Sequence, residues 1–226
     1  MALKNTDTGR MDTIFASVLA DGKIHVGATE HTEGAVKREY ETSDGKSGEK
    51  WELLYTELSG TIEKVSFFEG NYGKNLQIVV RDDEDESAKP ITLSIPTESN
   101  FGEDVMKKLP NINQKKVVTF APYSFLDDKG KRKRGVTVTQ ESKKGEVEKI
   151  QNFYYDAKIK EVANGYPEVP KPKKGKALTK SDWRKYFGNA REFLIEDLTE
   201  RLGLEDEEAE KVSDLQKKAK KEAEDF

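Results

Sequence analysis

Up to about Asn152 the apolar residues come in short runs separated by Gly, Asp and Lys turns, and within the runs they fall on every second position. A period of two marks a strand with one buried face. Over 75–81, Leu76, Ile78 and Val80 share one side while Gln77, Val79 and Arg81 share the other, and Ile91, Leu93 and Ile95 repeat the pattern. Further strands are predicted over 58–67, 117–125 and 135–140. A hairpin is predicted over 14–26, around Asp21-Gly22, a pair that tolerates positive φ. The segment 41–48 reads as a polar loop and 147–155 as a last strand.

Two segments change period. Between 97 and 109, Phe101, Val105, Met106 and Leu109 recur at helical spacing and Pro110 closes the element. Later, Trp183, Tyr186, Phe187, Ala190, Phe193, Leu194, Leu198 and Leu202 fall three or four apart, with Ser181 as a candidate cap. The chain thus divides into a β-rich part (1–168), a basic Pro/Lys linker (169–176), an amphipathic aromatic helix (177–204) and a charged tail (205–226). That tail carries too few apolar residues to anchor it. The order over 58–140 is β-β-β-α-β-β. It matches a five-stranded OB-type Greek-key barrel with a helix between strands three and four. The expected class is mainly β, with extra flanking strands and a C-terminal helix.

Charged residues make up 36% of the chain against 34% hydrophobic, so the surface must be strongly polar. The net charge of −4 is unevenly spread. Residues 111–176 hold 16 Lys/Arg against 8 Asp/Glu, whereas 203–226 hold 5 against 9, which alone accounts for the total. A basic middle and an acidic end suit a polyanionic partner with an internal competitor. Cysteine is absent, which excludes disulfides, thiolate metal sites and cysteine nucleophiles. With no long apolar run and no apolar core near Met1, a cytoplasmic protein with no membrane partner is expected.

Binding single strands without reading sequence requires cations along a groove and aromatic faces for unpaired bases. Both occur in the two loops that OB folds use for ligands. In the first, Phe67, Phe68 and Tyr72 alternate with Lys64 and Lys74 around Gly70 and Gly73; Arg81 lies on the polar side of the next strand. In the second, Lys129, Lys131, Arg132, Lys133 and Arg134 crowd together, a density that calls for phosphate. Tyr123 and Phe125 lead into that tip. Phe153, Tyr154 and Tyr155 sit near Lys149 and Lys158 on a predicted strand, so at least one ring must face outward; alternation alone does not choose which, and Tyr154 is carried as the candidate. Trp51 and Tyr55 fit core and surface equally well.

Catalysis finds little support. His25 on a strand and His31 in a polar loop belong to no metal-spaced cluster and pair with no nucleophile. The run from Asp82 to Glu86 reads as a solvated turn rather than a two-metal site. No phosphate-cradling GxxxxGK[ST] is present. A non-enzyme with no cofactor and no metal is expected.

In these residues the chain resembles the single-stranded DNA-binding proteins of tailed bacteriophages, of the phage T7 type. The resemblance covers 58–140 with its aromatic and basic loops, and the ending Glu222-Ala-Glu-Asp-Phe226. It implies a coating and protecting role in phage DNA replication, recombination and repair, in the host cytoplasm. It also implies that Glu222, Glu224, Asp225 and Phe226 recruit a DNA polymerase or helicase-primase and compete with DNA for the basic groove. The chain departs from that pattern in the lysines Lys217, Lys218, Lys220 and Lys221 within the tail, and in the helix from Trp183 to Leu202. That helix has three open roles: a cover on the barrel, a homodimer contact or a partner surface. The competing readings are a protein-interaction or assembly module on an OB scaffold, and an RNA-binding OB protein.

Overall fold

The computed structural model describes residues 13–41, 45–70, 73–83, 85, 87–142, 144–172 and 177–204. Its strands are β1 (Ile14–Val18), β2 (Ile24–Ala28), β3 (Val36–Glu41), β4 (Ser47–Tyr55), β5 (Leu58–Gly70), β6 (Gly73–Arg81) and β7 (Ile91–Pro96). They continue, after helix α1 (Asn100–Lys108), with β8 (Val118–Leu126), β9 (Arg132–Glu141), β10 (Val147–Lys149), β11 (Tyr155–Asp156) and β12 (Glu161–Val162). Helix α2 (Lys180–Leu202) follows. Ten strands form one mixed sheet in the order β10-β9-β8-β5-β6-β7-β1-β2-β4-β3, and β11 and β12 pair separately. Among the described residues all ladders are antiparallel except β1 with β7.

The period-two pattern sets the register. Val65, Ile78, Leu93 and Ala16 are consecutive cross-strand partners on β5, β6, β7 and β1, and all four are buried. On β8 and β9, Phe120 faces Val138 and continues this core. Helix α1 turns Phe101, Val105 and Met106 onto it, with the Ser99 hydroxyl accepting from Gly102 N at 3.0 Å as N-cap. Helix α2 adds Ala190, Leu194 and Leu198. Its start differs from expectation: Thr179, not Ser181, is the cap, in a capping box with Asp182. Gly203, in the left-handed region at φ 59°, ends it.

The fold is mainly β, with a large mixed sheet. The closed five-stranded barrel was expected, but among the described residues no ladder joins β7 to β9. The free edge of β9 is occupied instead. Val136 N donates to Asp104 Oδ2 at 2.7 Å, and its carbonyl accepts from Lys108 Nζ at 2.6 Å. Ile150 N donates to the Val138 carbonyl at 2.8 Å, and β10 pairs with the end of β9. Backbone groups satisfied by a helix's side chains have no need of another strand. On the other side β7 takes β1 as its neighbour. The predicted strand over 147–155 is broken into β10 and β11, because residues 150–154 turn inward against α1, where Phe153 N donates to the Lys107 carbonyl.

The sheet nevertheless coils strongly. Gly22, at φ 78° in the β1–β2 turn, sits so close to β8 that an added Cβ would lie 2.4 Å from Ser124 N. Thus the turn after β1 packs on the backbone of Tyr123 and Ser124, at the base of the basic hairpin.

Candidate nucleic-acid interface

Opposite the core, the register assembles a second, polar face across β5, β6, β7 and β1. Lys64, Val79, Thr92 and Phe15 form one cross-strand row; Ser66, Gln77, Ser94 and Ser17 form the next. Phe68, Asn75 and Pro96 form a third. The middle row is small hydroxyls and one amide, groups that both donate and accept. It is flanked by two exposed rings, Phe15 at 64% and Phe68 at 42% accessibility. From β5 to β1 this floor spans about 14 Å. Neither Phe15 nor the hydroxyl row was singled out from the sequence. The signal is the strand alternation itself, whose second phase gathers these side chains on one face.

The predicted binding residues fall into separate groups. Lys64 and Phe68 lie on the polar face, with Arg81 at its edge in an ion pair with Glu63. Phe67 and Lys74 point the other way. Phe67 is half-buried against the core, and both residues line a cleft beside α2 with Glu69, Glu98, Glu192 and Glu196. That carboxylate-rich setting repels phosphate. Tyr72 lies outside the described residues, as do Glu222, Glu224, Asp225 and Phe226, and Glu84 and Glu86 of the acidic run. The Asp83 carboxylate accepts from the Thr61 hydroxyl, and Asp85 from Ser87.

Tyr154 corrects the expectation. It is 1% exposed and packs among Phe153, Tyr166 and Phe193. Its hydroxyl donates to Asp197 Oδ2 at 2.6 Å, and burial, then that hydrogen bond, pushes its pKa up. It has no face to offer a base. Arg201 pairs with the same carboxylate and stacks over Phe153, so these aromatics lock α2 to the segment after β10.

The second basic loop is the β8–β9 hairpin. Lys131, Arg132, Lys133 and Arg134 are all exposed. Alternation sends Lys133 to one side, opposite Phe125, and Arg132 and Arg134 to the other, opposite Leu126 and Ser124. The Asp127 carboxylate lies 3.8 Å from Lys133 Nζ and caps the tip by accepting from Lys131 N at 2.7 Å. Tyr123 and Phe125 share a side with ring centroids 5.7 Å apart. Tyr123 is half-buried, and burial, then the Asp104 carboxylate, raises its pKa. Phe125 is 54% exposed.

A charge cluster on β2, β3 and β4 was not anticipated. Glu52 is 3% exposed and receives Arg38 Nε at 2.7 Å, Lys50 Nζ at 2.8 Å and His25 Nδ1 at 2.8 Å. The Arg38 hydrogen bonds outweigh burial, and with Lys50 and His25 they hold its carboxyl down to about 2. His25 Nε2 lies 3.1 Å from Asp21 Oδ2. Ser17 is the cross-strand partner of His25, and both ring nitrogens of His25 face carboxylates. Comparison with family models, with curated proteins and with solved structures finds no match. Among the described residues no helix is long and apolar enough to cross a membrane.

Proposed function

We propose that this chain is a non-enzymatic, sequence-independent single-stranded DNA-binding protein that coats transient single strands in phage replication and recombination. In this reading β5, β6, β7, α1, β8 and β9 are an OB-type barrel opened between its third and fifth strands, with β1 and β10 as the added neighbours. The observation that carries it is the polar face of β5, β6, β7 and β1. There the exposed rings of Phe15 and Phe68 flank a row of half-buried Ser17, Ser94 and Gln77 that ends at the buried Ser66, and the β1–β2 turn leads to the base of a four-cation hairpin. Rings stack on any base, hydroxyls adapt to any edge, and cations take the phosphates. The working residues are Lys64, Phe68, Lys131, Arg132, Lys133 and Arg134, with Phe15 added; the buried Tyr154 and the cleft residues Phe67 and Lys74 are removed, Arg81 and Tyr123 stay at the edges, and Tyr72 lies outside the described residues. The acidic end from Glu222 to Phe226 serves, by the phage resemblance, to recruit replication proteins.

Oligo-dT binding followed by fluorescence anisotropy across a salt series tests this. Contact of four phosphates with the hairpin gives a log–log slope near about −3. Absence of binding at low salt would refute the proposal; equal affinity for oligo-U would shift it to RNA.

A further inference from the structure

Beside Phe15 the polar face deepens into a recess of about 690 Å³ between β1, β2 and β4. This is within the range of small-ligand pockets, roughly 300–1,000 Å³. Ser17 and Ser94 form one wall, the Thr29–Thr32 turn another, and Lys50 and Glu52 the far side. Gly27 stands in the floor. It is exposed, and a Cβ built on it would meet no protein atom within 4 Å, so the backbone there faces open space.

The chemistry of this recess differs from that of the basic hairpin. In the lining of the recess Lys50 pairs with Glu52, which also receives Arg38 from behind, and His25 lies between Glu52 and Asp21. Cations already engaged in this way leave little field for a phosphate. Hydroxyls of Ser17, Ser94, Thr29 and Thr32 provide both donors and acceptors, and Phe15 provides an exposed ring at the mouth. Those are the needs of an uncharged, flat, hydrogen-bonding heterocycle.

We infer that the recess at Gly27 receives one nucleobase of the bound strand, turned out of the stack against the Phe15 ring, while the phosphates stay on the hairpin. The inference rests on the strand-binding reading and names a subsite within it. The base edge meets the serine and threonine hydroxyls, which suit any of the four bases, consistent with binding that ignores sequence.

Gly27→Val tests it. Valine suits a strand, and the Cβ it adds here meets no protein atom within 4 Å as it enters the recess. Wild type, Gly27→Val and Phe15→Ala are compared by anisotropy on oligo-dT and on an abasic strand of equal length, with folding checked by circular dichroism. Expected is about a tenfold loss on oligo-dT for each variant, an unchanged salt slope, and little change on the abasic strand. A folded Gly27→Val that binds oligo-dT as wild type does overturns the subsite and leaves the strand-binding reading standing. Phe15→Ala gives a second decision should Gly27→Val misfold, since Phe15 is largely exposed. A wild type that binds no strand overturns both.

Discussion

Glu52 shows how much one side chain decides. It is buried in a sheet arm otherwise mostly open to solvent, and it holds β2, β3 and β4 together through His25, Arg38 and Lys50. Its carboxyl titrates at about 2 in the folded chain against an ordinary 4.5. A lowered value means the stabilisation is complete above about pH 4.5 and is lost as pH falls towards 2. At roughly 1.4 kcal/mol per unit this amounts to about 3 kcal/mol. Glu52→Gln is expected to lower stability at neutral pH by about 3 kcal/mol, by stranding Arg38 beside an amide. It is also expected to flatten the acid limb of a plot of urea midpoint against pH between about 4.5 and 2. An unchanged acid limb would mean that the cluster does not hold the arm.

At the scale of elements, the coil of the sheet depends on the β1–β2 turn lying on β8. Gly22→Ala brings a methyl group against Ser124 and imposes a left-handed φ on alanine. A loss of about 2 kcal/mol or more is expected in urea unfolding, with weakened strand binding as the hairpin base shifts. The strands themselves were legible. Alternation placed β5 to β9 and α1 within a few residues of their bounds, because each buries one face locally. The arm of β3 and β4 was not. Val36-Lys-Arg-Glu-Tyr-Glu41 is almost wholly exposed and buries nothing that would imprint a period. Nor could sequence show that Asp104 and Lys108 occupy the edge of β9, since a contact across 32 residues between a helix side chain and a strand backbone leaves no spacing to read. Tyr154 was misplaced for a related reason. Its inward turn is dictated by α2, which the sequence placed after a linker with no stated docking site.

On the scale of the whole molecule, the polar face, the cationic hairpin and the acidic cleft under α2 lie on different parts of one compact core. The cationic hairpin attracts a polyanion and the acidic cleft repels it, so under the proposed function a strand runs from the hairpin across β5, β6, β7 and β1. The stacked pair Trp183 and Phe187 on the exposed first half of α2 offers rings too, beside Lys180 and Arg184. It is the serious rival for any contact with bases. Photo-crosslinking with an iodouracil-substituted oligo-dT, read by peptide mass spectrometry, separates the two surfaces directly. Expected are adducts on peptides carrying Phe15 and Phe68; adducts confined to the peptide carrying Trp183 and Phe187 would contradict the assignment of the strand to the sheet.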